Sequence, residues 1–498
     1  MQPSAADQVT KRDTPSDSLV VTIDNFQNYT GDPTAVSIAL QAPTDPVGAA
    51  RAADAMPFIA GNNTAGYIGD NIVTSDSDEG NGYIWTQNFP FVPNANANGS
   101  PDTGWQGLPD LEGFTLNRSI VVRQGAIQPV YITANYNPES IKRAVIVFPG
   151  KPRDSWKYTN LVRNALTVQA GLFPEWGITT DSVLVMGPAW LNEMDQQAGA
   201  SLPNEIIFHG SQWQSGGNSR SPELNSSITS YEAVDRLTDI LFDKAQFPNL
   251  NQVVVAGHSM GAQMVQRYAV LKKTKEYDPN MAFWLGNPGS WAWLTDDRPY
   301  QNSSCTDYLD WHYGLGGNQT HVSKYARQDV ETNRKAVVDR YLERRMHYAL
   351  GLLDNGAGDT HCEALMQGGN HLDRGSQFAL QLSNIPEANG WPANHSLDYM
   401  VGVSHQDYAM ISANASLQRI FYDDYNTRYP SLTNTTNPGD KLDPGVKAFA
   451  TRGHTVIAYS LLFSSLAAVV LCFGALPFVF PANTSWQEQE GWEKSPLK

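Results

Sequence analysis

The stretch from Val253 to Gln263, VVVAGHSMGAQ, constrains the fold of this chain more than any other. Val253, Val254, Val255 and Ala256 form a short apolar, β-branched run that reads as a buried strand. The residues after Gly261 place Val265, Tyr268 and Ala269 on one helical face. Between them lies Gly257-His258-Ser259-Met260-Gly261, so strand passes into helix over a turn too tight for ordinary backbone geometry. Cβ atoms at Gly257 or Gly261 would meet neighbouring main chain, and the strain leaves the Ser259 hydroxyl exposed at the tip. The free N–H groups at the start of the helix point at the same spot and favour negative charge there.

The rest of the chain supplies a sheet around this turn. Ile120-Val121-Val122 and Val130-Tyr131-Ile132, joined by a turn within Gln124 to Gln128, read as a β-hairpin. Ala144 to Phe148 is a fully apolar strand ending in Pro149-Gly150-Lys151-Pro152, and Val183 to Met186 is a second. Continuous apolar runs of this kind fit strands covered on both faces. Thr229 and Glu232 form a capping box for a helix whose Val234, Leu237, Ile240 and Leu241 make an apolar stripe. Ala282 to Leu285, Met346 to Leu353 and Tyr399 to Val403 complete the strands. Alternation of strand and helix predicts a doubly wound, mostly parallel α/β sheet, in which ligands bind at the carboxyl ends of the strands. Residues from about 296 to 343, with Tyr308, Trp311 and Tyr313, read as an insertion over that edge, and Trp291 and Trp293 as candidate walls of an apolar pocket.

A serine hydroxyl is a poor nucleophile at neutral pH. It needs an imidazole to take its proton and a carboxylate to hold that imidazole in the right tautomer. In a strand-turn-helix hydrolase the order along the chain is serine, acid, histidine. Ser259, Asp354 and His405 meet that order, each just after a predicted strand, with Asp359 as the rival acid in the same loop as Asp354. His258, beside the serine, points away and packs or supports the turn. The two N–H groups that face a developing oxyanion come from the residue after the serine and from the loop after the third strand. Here these are Met260 and Lys151, since Pro152 has no N–H to give.

Four segments, AGHSMGAQ, VIVFPGK, ALGLLDN followed by CEALMQGGNHLDRG, and VGVSHQD, together resemble the α/β-hydrolase superfamily, in particular its esterase-like bacterial and fungal members. The resemblance covers roughly residues 119–425. It implies a serine hydrolase with Ser259, Asp354 and His405 in the three catalytic positions, and favours Asp354 over Asp359.

The formal charge of -16 and the absence of any basic run exclude a nucleic-acid partner. Of the three cysteines, Cys305 and Cys362 form either one bridge or two free thiols, while Cys472 lies in an apolar segment. That segment, 455–480, is uncharged, and as a helix of about 39 Å it would cross a bilayer core of about 30 Å. It is expected to be one transmembrane helix, because a polar tail follows it where a lipid-anchor signal would end. Ten Asn-x-Ser/Thr sequons precede it, including Asn98, Asn225, Asn302, Asn318 and Asn414, which points to a glycosylated domain facing the lumen or the cell exterior.

The domain reading is therefore a polar leader over 1–18, an irregular, partly β extension over 19–117, and an α/β-hydrolase catalytic domain over 118–430. A linker over 431–454, the membrane helix over 455–480 and a polar tail over 481–498 follow. The expected activity is cleavage of a carboxylic ester, of a small molecule or a lipid, through an acyl-enzyme and without metal or organic cofactor. A non-catalytic cell-surface interaction protein on the same scaffold, and a lipase or acyltransferase acting on membrane lipid, are the alternatives.

Overall fold

The structure, a computed structural model, describes residues 33–56, 86 and 88–425. It opens on helices α1 (Pro33–Gln41) and α2 (Pro46–Asp54). A small two-stranded ribbon within 99–105 leads to β1 (Phe114–Arg123) and β2 (Ala126–Thr133). Then come β3 (Arg143–Phe148), α3 (Ser155–Leu172), β4 (Val183–Pro188), α4 (Ser230–Phe242), β5 (Gln252–His258) and α5 (Met260–Leu271). The last part holds β6 (Met281–Gly286), α6 (Arg327–Glu343), β7 (Arg345–Gly351), α7 (His371–Asn384), β8 (His395–Met400) and α8 (Asp407–Ser412).

The eight strands form one sheet in the order β1-β2-β4-β3-β5-β6-β7-β8. From β4 to β8 every pairing is parallel, while β1 pairs with β2, and β2 with β4, antiparallel. Every residue of β3, β4, β5 and β6 is buried, as their unbroken apolar runs require for strands covered on both faces. The hairpin turns on Gln124 and Gly125, whose φ values of 51° and 82° give the two-residue turn that matches the twist of the strands. Thr229 and Glu232 cap α4 reciprocally: Glu232 N–H donates to Thr229 Oγ1 at 3.2 Å, and Thr229 N–H to Glu232 Oε2 at 2.7 Å.

The described residues add detail to two expectations and correct a third. Where the extension over 19–117 is described, it begins as helix: Ala35, Ile38, Ala39 and Ala42 are buried at helical spacing, and Asp45 caps α2 by accepting from Gly48 N–H at 2.8 Å. Asp54 at the end of α2 accepts from Gln377 Nε2 at 2.9 Å, tying this pair of helices to α7. The excursion over 296–343 resolves into irregular chain up to Ala326 and then α6, whose Val330, Val337, Tyr341 and Leu342 are buried; α6 is the crossover between the parallel strands β6 and β7.

The correction concerns the fold class. Among the described residues no helix is long and apolar enough to cross a membrane. The longest, α3, carries Lys157 and Arg163 and packs one face on the sheet, so the architecture is a mostly parallel α/β sheet without a membrane-spanning helix among those residues. The leader 1–18, the linker 431–454, the segment 455–480 and the tail 481–498 lie outside the described residues.

Candidate active site

β5 is paired on one side with β3 and on the other with β6, so the backbone leaving its end at His258 is held on both sides. Ser259 follows with φ 57° and ψ −123°, a conformation strained for any residue with a Cβ. A Cβ on Gly257 would lie 2.4 Å from the main chain of Gly261, and a Cβ on Gly261 would lie 2.4 Å from the carbonyl oxygen of Phe148. The second contact presses the start of α5 against the end of β3 and brings the loop after Phe148 beside the serine. Ser259 N–H donates to the carbonyl of Gly286 at 2.8 Å, which ties the turn to β6 as well.

The three residues expected from the sequence converge here. Ser259 Oγ lies 2.9 Å from His405 Nε2, and His405 Nδ1 lies 2.7 Å from Asp354 Oδ2. Asp354 stands just beyond β7 and His405 just beyond β8. The carboxylate is buried, whereas the imidazole is 35% exposed, so the Asp354 end of the group is sealed and the His405 end is open to solvent. Burial alone would raise the carboxyl of Asp354. The attraction of the His371 and His405 rings and their hydrogen bonds outweigh it, and hold the group well below the usual carboxylate range.

Asp359 goes elsewhere. It accepts from Ser290 Oγ and Tyr313 OH, each at 2.9 Å, and pairs with His361 Nδ1 at 2.6 Å. Burial opposes its ionisation, but those hydrogen bonds hold it down to about 2. The aromatic run is likewise engaged in packing: Tyr313 serves Asp359, and Trp311 Nε1 donates to Ser215 O at 2.8 Å. Trp291 stacks on Phe378 at 4.2 Å and Trp293 meets the same ring edge-on. Both tryptophans are buried in the core, which is what large apolar side chains next to a sheet do unless a ligand keeps them apart.

Met260 opens α5, so its N–H is free of helical partners and faces the site end of the helix. Lys151 lies in the turn after β3, closed by Arg153 N–H donating to Gly150 O at 3.1 Å. Arg153, at φ 65°, pins this turn from below: it is buried and grips both oxygens of buried Asp195 at 2.8 and 2.9 Å. His258 is buried, with its ring 4.7 Å from that of His405 and Nδ1 3.5 Å from Tyr158 OH. Burial, and then the neighbouring His405, push it well below the ordinary histidine value, so it is a neutral packing ring.

Sequence reasoning passed over Arg153 with Asp195, and over two further residues. Asn287, at the end of β6, joins the end of β7 to the loop that carries His405. His371, at the first position of α7, lies behind Asp354. A lone histidine in the glycine-rich stretch GGNHLDRG carries no spacing that reveals a partner.

Among the described residues, two groups of side chains bring enough donors together to be considered for a metal: Cys305, Cys362 and Glu363, and Asp354, His371 and His405. The cysteines of the first are joined in a disulfide, which removes their thiolates. In the second, His371 Nδ1 faces the carbonyl of Gly356 at 2.9 Å. An acceptor there requires a proton on that nitrogen, so it is not a metal donor.

A mostly parallel sheet, a strained serine between β5 and α5, and an acid and histidine arriving in that order at the ends of later strands decide the fold. The chain has an α/β-hydrolase fold. No family model matches its sequence, and no curated protein does. Among solved structures, this chain is similar to a poly(aspartic acid) hydrolase from Sphingomonas sp. KT-1, with 19% identity, 61% of this chain and 97% of that chain covered, and a TM-score of 0.42. It is similar also to a poly(3-hydroxybutyrate) depolymerase from Bordetella parapertussis, with 19% identity, 64% and 92% covered, and a TM-score of 0.42. An S-formylglutathione hydrolase from Agrobacterium tumefaciens is 11% identical over 66% of this chain and 100% of that one, with a TM-score of 0.36. The activities and substrates in those names belong to those proteins.

Proposed function

We propose that this α/β-hydrolase is a serine hydrolase that cleaves a carboxylic ester through an acyl-enzyme, with Ser259 as nucleophile, His405 as base and then acid, and Asp354 as the orienting carboxylate. The observation that carries this reading is the pair of contacts on one imidazole, 2.9 Å to Ser259 Oγ and 2.7 Å to Asp354 Oδ2. The Asp354 contact puts the proton of neutral His405 on Nδ1 and leaves Nε2 basic toward the serine. As Ser259 Oγ attacks the acyl carbon, its proton passes to Nε2, and the negative charge that develops on the carbonyl oxygen is met by the N–H groups of Met260 and Lys151. His405 then returns the proton to the departing alkoxide, and a water molecule, deprotonated in the same way, releases the acid. Esters rank above amides because an alkoxide asks less of the acid than an amine does.

The bridge between Cys305 and Cys362, together with sequons on exposed loops, supports a secretory-pathway location, where disulfides persist. The experiment is labelling of the purified protein by a fluorophosphonate probe, beside Ser259→Ala and His405→Ala. Labelling of the wild type that disappears in both variants is the expected result. A folded wild type that does not label sinks the hydrolase reading.

A further inference from the structure

The acid of the site has a second histidine on its far side. Asp354 presents Oδ2 to His405, and its other oxygen, Oδ1, lies 3.2 Å from His371 Nδ1. Both His371 and Asp354 are buried, so no bulk water substitutes for that contact. The main chain reinforces it. His371 N–H donates to Gly356 O at 3.2 Å and Leu372 N–H to Asp354 O at 3.1 Å, so the start of α7 sits directly on the loop that carries the acid. Asn370 caps the helix, accepting from Asp373 N–H at 2.9 Å. Behind the ring, a Cβ at Gly358, where φ is 58°, would lie 2.4 Å from His371 Cε1, and in front of it the His405 ring stands 4.2 Å away. The imidazole is thus held on both faces.

We infer that His371 is a positioning residue for the reaction proposed above: its Nδ1–H donates to Gly356 O at 2.9 Å, and the same nitrogen stands 3.2 Å from Asp354 Oδ1, so that the positive end of the N–H dipole draws Oδ1 to that side and keeps Oδ2 turned toward His405. The inference rests on that reading of Ser259, His405 and Asp354. The bond to Gly356 O fixes the tautomer, with the proton on Nδ1. Four charged or titratable groups act on His371: Asp354 from the loop after β7, His405 from the loop after β8, Arg374 from the next turn of α7, and its own coupling to His258 at the end of β5. Burial is the largest influence, and with His405 and Arg374 it outweighs the pull of Asp354, so the ring stays neutral below its ordinary value. The N–H dipole beside Oδ1 eases the carboxylate charge without adding a second cation beside the imidazolium that His405 becomes. Oδ1 is buried and accepts no hydrogen bond, so without that dipole the carboxylate compensates by holding the proton on His405 more tightly.

Two measurements test this. In the labelling assay, the rate against pH is followed for the wild type, His371→Phe, which keeps a ring without a donor, and His371→Asn, whose amide can take the place of Nδ1–H. The acidic limb is expected to move up by roughly one pH unit in the Phe variant and to return in the Asn variant. A limb that does not move in His371→Phe, or that Asn does not restore, overturns the inference and leaves His371 a packing residue. Should the Phe variant not fold, the ring-nitrogen chemical shifts of wild-type His371 decide: a neutral ring protonated on Nδ1 between pH 6 and 8 is expected, and a proton on Nε2 alone overturns the inference. A wild type that does not label at all sinks the hydrolase reading and the positioning role with it. A wild type that labels beside an unmoved limb sinks the role of His371 alone.

Discussion

Asn287 donates its side-chain amide to the carbonyl of Ser404 at 2.8 Å, the residue before His405. Its side-chain oxygen accepts from Gly351 N–H at 2.8 Å, so one buried asparagine joins the end of β7 to the loop that carries His405. Its own φ of 46° is a left-handed value that asparagine tolerates better than most residues. Asn287→Ala loses both bonds and strands two buried backbone groups, with an expected cost of about 2–4 kcal/mol in denaturant unfolding. Labelling by a fluorophosphonate should fall further than this loss of folded protein explains, because His405 loses its support. Unchanged labelling per folded molecule would refute the assignment.

The two aspartates of the loop after β7 separate cleanly by mutation. Asp354→Asn should lower the labelling rate by roughly ten-thousandfold, as loss of the orienting carboxylate does when the base takes the wrong tautomer. Asp359→Asn, which weakens the contacts to Ser290, Tyr313 and His361, should instead lower stability by about 1–3 kcal/mol and leave the labelling rate of the folded enzyme within a small factor. The reverse ranking would move the acid to Asp359.

Gly261→Ala would place a methyl group 2.4 Å from Phe148 O and 2.7 Å from Pro149 O. Both are main-chain atoms of the sheet edge and cannot yield as a flexible side chain would. Loss of soluble folded protein, or a fall in melting temperature beyond that caused by alanine at the open, exposed Gly125, is the expected outcome in thermal unfolding.

Asp373, near the start of α7, is pushed up to about 6 by burial and then by the neighbouring charge of Asp54. The folded protein therefore binds a proton there that the unfolded chain, with its ordinary value of 3.8, has already released. Its contribution to stability is present below pH 4 and is lost as pH rises toward 6. Asp373→Asn should gain melting temperature relative to the wild type as pH is raised from 4 to 7. A difference that stays flat, or falls, across that range would remove Asp373 as the titrating group.

The bridge from Cys305 to Cys362 closes a loop with a sequence separation of 57, for which the chain-entropy estimate is about 4 kcal/mol. Replacing both cysteines by serine should lower unfolding stability by about 2–4 kcal/mol. If the protein passes through a secretory pathway, the exposed Asn302 and Asn318 should carry glycans removable by an N-glycosidase, while Asn414, buried at 4% exposure, should not. Mass spectrometry of protein secreted from a eukaryotic host reads all three positions, and unmodified Asn302 and Asn318 would count against the location.

Much of this was legible in the one-dimensional chain because its causes are local. A β-branched run before Gly257 and a helical stripe after Gly261 declare the turn around Ser259, and the continuous apolar strands from Ala144 to Val255 declare a sheet covered on both faces. Even the order of serine, acid and histidine can be read from positions at strand ends. What depended on contacts distant in sequence could not be read in this way. Asp354 and Asp359 lie in the same short loop and are chemically identical, and only the packing of α7 behind that loop sends one to His405 and the other to Tyr313. The alanines of α1 and α2 read as part of an irregular, partly β extension until α7 and β8 supply a surface to bury them. Trp291 and Trp293 suggested a pocket by composition, but the ring of Phe378 claims them for the core. Local periodicity and turn chemistry belong to the sequence, whereas the choice among equivalent partners belongs to the fold, because it is made by distances between residues that the chain itself keeps far apart.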